Sequence, residues 1–209
     1  MISCSNRAAL FLDRDGVLTE PVLNPATGEY ESAHDPSDLQ LCDGAVEALR
    51  RAQAAGYELF IVSNQPSYAK GKASLEAIKE IARQTEARFK EGGVTFREAY
   101  YCHHHPEGIV PELTGPCRCR KPDPYSLLQA ADRYVVDLSA SWMIGDRDSD
   151  IECGRRAGCR TIFIDHPHGK PYNARPAPDY VARDVGVAVG LIMEEAASRR
   201  MNHHGESTV

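Results

Sequence analysis

The chain reads as a doubly wound α/β domain, a single parallel sheet with helices on both faces. Three observations predict it. Short apolar runs alternate with stretches of helical period along most of the sequence. The connections are marked by Gly, Pro, Asn and Asp. Several apolar runs end abruptly on a polar group: Asp13, Ser63, Cys102 and Asp146. In such sheets ligands bind beyond the carboxyl ends of the strands, so these four positions should meet along one edge.

Each element has its own signal. Ala8 to Leu12 is a buried strand that stops at the turn Asp13-Arg14-Asp15-Gly16. A loop rich in Pro, Gly, Asn and Asp runs from Thr19 to about Gln40. Asp43 reads as a helix N-cap, Val46, Leu49 and Ala52 or Gln53 as an apolar face, and Gly56 as the stop. Tyr57 to Val62 is the second strand. Ser74 to Phe89 carries Leu75, Ile78, Ala82 and Phe89 at helical spacing and ends at Gly92-Gly93. Val94 to Tyr101 is a third strand, followed by a loop of His, Cys, Pro and Gly over 102–120. Pro124 to Tyr134 is helical, Ser141 to Ile144 a short strand, and Asp148 to Ala157 a helix stopped by Gly158. Thr161 to Ile164 and Tyr180-Val181 are strands, and a last helix covers about Val185 to Ser198. No internal repeat is visible. Residues 1–200 form one domain in this reading, and 201–209 a flexible tail.

Composition narrows the function. With 209 residues, 42% of them apolar and 26% charged, the chain can bury a sizeable core. The formal net charge is -6. With no long basic run, that argues against a nucleic-acid partner. No stretch approaches the ~20 apolar residues that span a bilayer. The first residues lack a basic segment followed by a long apolar run, so the expectation is no cleaved leader and a cytoplasmic location. Seven cysteines, an odd number, argue against a disulfide framework.

The motifs carry the chemistry. Phe11-Leu12-Asp13-Arg14-Asp15-Gly16-Val17-Leu18 puts two carboxyl groups on one tight turn. Val62-Ser63-Asn64-Gln65, Cys119-Arg120-Lys121-Pro122 and Gly145-Asp146-Arg147-Asp148-Ser149-Asp150 follow in order. Together these four segments resemble the motifs of the haloacid-dehalogenase (HAD) phosphatase superfamily over roughly residues 8 to 165. The resemblance implies a Rossmann-like fold and phosphoryl transfer, which depends on positioning and charge neutralisation. In its terms Asp13 is the nucleophile. Asp15 is the acid that protonates the leaving oxygen and the base that activates water. Lys121 is a point charge on the transferring group, and Ser63 completes its cradle. Asn64 is a substrate contact. Asp13, the backbone carbonyl of Asp15, and Asp146 would hold magnesium, a hard ion suited to oxygen ligands. Asp150, one helical turn beyond Asp146, supports that site.

A second pattern is independent of these motifs. Cys102-His103-His104-His105-Pro106 precedes Cys117-Arg118-Cys119 by ten residues. Three thiolates and one imidazole make a closed tetrahedral zinc set of the structural kind. The spacing leaves open which histidine binds. A similar loop in heptose-bisphosphate phosphatases points to His104, giving the set Cys102, His104, Cys117 and Cys119. Zinc at residues 102–119 would fix Arg120 and Lys121 beside the phosphate.

The resemblance is closest to the branch holding D,D-heptose 1,7-bisphosphate phosphatases and histidinol-phosphate phosphatases. No long insertion leaves room for a large cap domain. Arg120 and Arg147 suit a second anionic group, which favours a sugar bisphosphate as substrate. The chain departs from the branch at Pro66-Ser67-Tyr68, where Pro66 removes a backbone donor, and in a long loop from Pro21 to Asp38. The expected protein is a monomer that removes the C7 phosphate of a heptose bisphosphate. Histidinol phosphatase, polynucleotide 3′-phosphatase and a non-catalytic zinc-stabilised interaction module are the alternatives.

Overall fold

The computed structural model describes residues 7–205 apart from 174 and 176. In chain order the elements are β1 (Ala9–Leu12), β2 (Val22–Leu23), β3 (Tyr30–Glu31), α1 (Ala45–Ala54), β4 (Glu58–Asn64), α2 (Leu75–Glu91) and β5 (Glu98–Cys102). Then come α3 (Tyr125–Tyr134), β6 (Trp142–Gly145), α4 (Asp148–Ala157), β7 (Arg160–Ile164), β8 (Tyr180–Ala182) and α5 (Val185–Gly205). Six strands form one sheet in the order β5-β4-β1-β6-β7-β8, and every neighbouring pair is parallel. From β1 the chain first builds outward to β4 and β5, then returns to β6 and builds the other way. The strand order therefore reverses between β1 and β6. A crevice opens there at the carboxyl ends, which is where open α/β sheets bind ligands.

The all-apolar β1 is explained by burial on both faces. Leu10 and Leu12 pack with Leu49 of α1 and with Ala188, Val189 and Ile192 of α5. Ala9 and Phe11 pack on the opposite side with Leu127 and Ala130 of α3 and Cys153 of α4. Phe11 also stacks on Phe60, with centroids 5.2 Å apart. Each large side chain so buried contributes about 1.5–3 kcal/mol, so the central strand, and the turn that leaves it, are firmly placed.

The alternation of elements and the parallel sheet agree with the sequence, and α4 has the expected limits. Its stop, Gly158, takes φ 85, a left-handed conformation that glycine adopts without penalty. Other boundaries differ. Gly44, not Asp43, is the N-cap of α1. The face that α1 buries comprises Ala45, Ala48, Leu49 and Ala52, so Val46 sits at its margin. Helix α2 buries Ile78, Ile81, Thr85 and Phe89; its N-cap, Ser74, accepts a hydrogen bond from the Ala77 amide. Strand β5 begins at Glu98, because Val94 is a buried loop residue that anchors the end of α2. The last helix continues past Ser198 to Gly205. Residues 201–205 of the expected tail are thus helical, and 206–209 lie outside the described residues. Inside the long loop, β2 and β3 form an antiparallel ribbon. Among the described residues no helix is long and apolar enough to cross a membrane.

Candidate active site

Asp13 is the first residue after β1, and its amide donates to the Ile144 carbonyl of β6 at 2.9 Å. The turn thus leaves the sheet in the crevice between the two strands. The Arg14 amide donates to Asp13 Oδ1 at 2.7 Å, orienting the carboxylate. Gly16 closes the turn with φ +79. A Cβ at this position would lie 2.7 Å from Asp146 Oδ2, so only glycine lets the first turn approach the acid that follows β6.

Lys121 is buried at 3% exposure. Its Nζ lies 2.9 Å from Asp13 Oδ1 and 2.6 Å from Asp150 Oδ1, and donates to the Val62 carbonyl at 2.5 Å. Burial opposes the lysine's charge, but Asp13 and Asp150 outweigh it and hold its pKa above the ordinary lysine range. Asn64, at the end of β4, grips the Lys121 backbone from both sides. Its Oδ1 accepts from the Lys121 amide and its Nδ2 donates to the Lys121 carbonyl, each at 3.0 Å. Asn64 also lines the cavity described below, but its amide is committed to placing the lysine.

Both oxygens of Asp15 are engaged. Oδ1 accepts from Nε and Nη2 of Arg14, at 3.0 and 2.9 Å, and from Thr19 Oγ1 at 3.2 Å. Oδ2 accepts from Gln65 Nε2 at 2.6 Å and from Ser32 Oγ at 2.8 Å. Burial alone would raise the pKa of Asp15, yet the Arg14 guanidinium and the Gln65 and Ser32 hydrogen bonds bring it below the usual aspartate value. As it stands this group is a carboxylate, the form a base needs. A dianionic phosphate entering beside it would raise its pKa toward the form an acid needs. Ser63 is 2% exposed and accepts from Gln65 Nε2 at 2.9 Å. It sits behind Gln65 and is absent from the cavity lining.

Asp146 follows β6 and Asp150 lies in the first turn of α4. Oxygens of Asp13, Asp146 and Asp150 come within 4.8 Å of one another. Burial and the neighbouring Asp13 and Asp150 charges push the Asp146 pKa up to about 8. Burial also raises Asp150, to about 6, although Lys121 opposes the shift. Three buried carboxylates carry more negative charge than the buried Lys121 offsets, and an all-oxygen donor set suits a hard divalent ion. Asp150 has a further structural role: its Oδ2 accepts from the Arg147 amide at 2.9 Å and caps α4. The side chain of Arg147 reaches back to Asp146 Oδ2, at 3.3 Å.

The Cys/His loop leaves the end of β5. Sγ atoms of Cys102, Cys117 and Cys119 lie 2.8–3.5 Å apart. His104 Nδ1 lies 3.6 Å from Cys119 and 4.0 Å from Cys102. The neighbouring histidines are occupied elsewhere: His103 Nδ1 contacts the Gln65 carbonyl, and His105 Nδ1 accepts from the Glu107 amide. The sulfurs are too far apart for a disulfide and gathered closely enough, with His104, to share one metal ion. Three sulfurs and one imidazole nitrogen fit zinc. The site connects to the crevice directly, since Arg120 Nη1 donates to the His104 carbonyl at 3.2 Å.

These groups surround one cavity of about 550 Å³, within the range of small-molecule sites. Asp13, Asp15, Asn64, Arg120, Lys121, Asp146, Arg147 and Asp150 all line it. So do Ser32, Lys70, Lys170 and Asn173, which sequence reasoning did not single out. Gln65 was visible in its motif but had no role until the structure put it between Asp15 and Arg14, whose Nη2 donates to Gln65 Oε1 at 2.6 Å.

Comparison with known proteins adds a further finding. A HAD-hydrolase-like family model matches residues 118–188. The chain is 35% identical over 164 residues to D-glycero-alpha-D-manno-heptose-1,7-bisphosphate 7-phosphatase of Photorhabdus laumondii, covering 77% of this chain and 85% of that one. It is 33% identical over 179 residues to D-glycero-beta-D-manno-heptose-1,7-bisphosphate 7-phosphatase of Yersinia pestis, covering 85% and 90%. Among solved structures, D,D-heptose 1,7-bisphosphate phosphatase from B. bronchiseptica, complexed with magnesium and phosphate, matches with a TM-score of 0.76. That match covers 90% of this chain and 99% of the other at 23% identity, and so speaks to the fold.

Proposed function

This chain belongs to the HAD-like hydrolases, and from that premise we propose that it is a magnesium-dependent phosphatase releasing the C7 phosphate of D-glycero-D-manno-heptose 1,7-bisphosphate. The observation that carries the reading is the Asp13–Lys121–Asp150 cluster beside Asp146, at the point where the strand order reverses. A nucleophilic carboxylate, a buried cation and a cation-deficient acid group there serve phosphoryl transfer.

In this reading Asp13 attacks phosphorus, and the bond from phosphorus to the C7 oxygen breaks. Asp15 gives its proton to that leaving oxygen. Asp15, again a carboxylate, then takes a proton from water as the water oxygen attacks the phosphoryl group on Asp13. The bond from phosphorus to Asp13 breaks, and inorganic phosphate and free Asp13 remain. Lys121 offsets charge on the phosphoryl oxygens throughout. Asp13, Asp146 and the Asp15 carbonyl would hold magnesium, which supplies charge neutralisation at the phosphoryl group. Asp150 holds Lys121 and the start of α4 rather than the substrate. Gln65, Arg14 and Ser32 set the position of Asp15.

The Cys102, His104, Cys117 and Cys119 set is read as a structural zinc site. It would fix the loop that delivers Arg120 and Lys121. The test is a phosphate-release panel, with and without magnesium, over heptose bisphosphate, histidinol phosphate and a 3′-phosphorylated oligonucleotide. Heptose bisphosphate should lead by at least roughly tenfold in kcat/KM, a difference of about 1.4 kcal/mol. A lead by either other substrate would replace the assignment.

A further inference from the structure

Gln65 stands between the first turn and the Cys/His loop. It is 1% exposed and follows Asn64, the last residue of β4. Asn64 turns to the Lys121 backbone, and Gln65, its neighbour, turns to Asp15. Both ends of the Gln65 amide are engaged. Oε1 accepts from Arg14 Nη2 at 2.6 Å, and Nε2 donates to Asp15 Oδ2 at 2.6 Å and to Ser63 Oγ at 2.9 Å. A guanidinium can only donate and a carboxylate can only accept, so the amide has one way to face. Gln65 thereby holds the acid group and the cation beside it at once.

The backbone of Gln65 is held by the Cys/His loop. Its amide donates to the Cys102 carbonyl at 2.7 Å, extending by one residue the ladder that pairs Asn64 with Cys102. Its carbonyl accepts from His103 Nδ1 at 3.1 Å. His103 lies between Cys102 and His104, two members of the Cys/His set, so a closed set fixes its main chain on both sides. Its ring is half-buried beside α2, where it lines a small cavity with Ile78, Lys79 and Ala82. A second tie joins the same two segments. The turn after Gln65 is closed by the Lys70 amide on the Pro66 carbonyl at 2.9 Å, and its Ala69 carbonyl accepts from the Ile109 amide at 2.7 Å.

The other partners of Asp15 come from its own turn, Arg14 and Thr19, or from the residue after β3, Ser32. Among the described residues Gln65 is the one partner of Asp15 whose backbone is bonded to the Cys/His loop. We propose that His103 and Gln65 form a connection that carries the order of the Cys/His loop to Asp15. Gln65 is then a positioning residue for the acid group, and His103 is its anchor. A metal that closes the loop bears on Asp15 as well as on Arg120 and Lys121. This rests on the role of Asp15 in the reaction proposed above.

The experiment compares the wild type with His103→Ala and with His103→Asn, whose side-chain amide keeps a donor near the place of Nδ1. Bound metal is quantified in each. Exchange of the Gln65 backbone and side-chain amide hydrogens is followed by NMR. The kcat/KM is measured on the fastest alkyl phosphate of the panel above and on p-nitrophenyl phosphate, whose phenolate departs without a proton. In His103→Ala, with metal retained, Gln65 exchange should quicken roughly tenfold, as loss of a buried hydrogen bond does. The kcat/KM should fall roughly tenfold on the alkyl phosphate and stay within about threefold on the aryl phosphate, because only the first needs the acid. His103→Asn should restore both readings. Chelating the metal of the wild type, at a temperature where it stays folded, should quicken Gln65 exchange by a similar factor. Unchanged Gln65 exchange in His103→Ala or after chelation, or equal losses on the two substrates, would overturn the connection. Asp15→Asn separates that failure from failure of the reaction itself. It should lower the alkyl-to-aryl ratio more than His103→Ala does, and an unchanged ratio there would overturn the acid role of Asp15.

Discussion

Replacing Asn64 with leucine removes a side chain that touches Lys121 only through the lysine's backbone. Two hydrogen bonds of 3.0 Å are lost. The Lys121 amide and carbonyl stay inside the protein, since the residue is 3% exposed. A buried polar group left without a partner costs about 1–3 kcal/mol. Two such groups, partly relieved by water entering from the cavity, give a loss of about 2–4 kcal/mol. In a chain of 209 residues that lowers Tm by roughly 5–15 °C. The kinetic effect should be larger than the thermal one suggests. With its backbone released, Nζ can shift from its place between Asp13 and Asp150, and a displacement of about 1 Å in a reacting site costs on the order of a hundredfold in rate. Thermal unfolding and kcat should be measured on the same preparation at a temperature where the variant is fully folded. A folded Asn64→Leu enzyme with wild-type kcat would refute the claim that this amide places the catalytic lysine. An unchanged Tm would refute the energetic reasoning as well.

Other outcomes follow from the same geometry. Asp13→Asn should fold normally by circular dichroism and lose roughly 10⁴-fold or more in kcat; residual turnover near wild type would move the nucleophile elsewhere. Gly16→Ala should cost about 1–2 kcal/mol from its left-handed backbone, and should also weaken magnesium binding measured by calorimetry, because the new methyl group lies 2.7 Å from Asp146 Oδ2. Unaltered magnesium affinity would show that the first turn need not approach Asp146. Chelation of zinc, or Cys119→Ser, should lower Tm and reduce activity on the bisphosphate, with metal content followed in parallel. A metal-free protein with full activity and stability would remove zinc from the account.

The parts of the molecule that could be read in advance share one physical cause. Where burial is complete, residue type follows position: β1 is apolar throughout because both of its faces are covered. Where a strand ends at the crevice, the switch to Asp13 or Asp146 is abrupt and visible. Helix α4 was legible because Gly158 supplies a local stop. The ribbon of β2 and β3 was not, because two-residue strands are too short to show alternation. The helical spacing of α2 was legible, but Leu75 and Ala82 are half-buried at the margin of a face completed by Ile81 and Thr85, and only packing chooses between such neighbouring rows. In the site, Asp13, Asp15, Lys121 and Asp146 announced themselves by motif and strand end. Ser32, Lys70, Lys170 and Asn173 did not, since a cation or amide on an irregular loop has no periodic signature until another loop fixes it. Ser63 and Asn64 show the reverse: their motif was plain, but only coordinates reveal that one hydroxyl faces Gln65 and one amide faces the lysine backbone.

The docking of the turn after β4 onto the Cys/His loop has a consequence for how such an enzyme can diversify. In the proposed reading hydrolysis is vested in groups rooted in the sheet, and discrimination in peripheral segments leaning on one another through contacts such as the Ile109 amide on Ala69. Sequence drift in those segments can retune which phosphorylated metabolite is accepted without disturbing bond cleavage. The Cys102, His104, Cys117 and Cys119 cluster is then the common foundation under several otherwise adaptable walls.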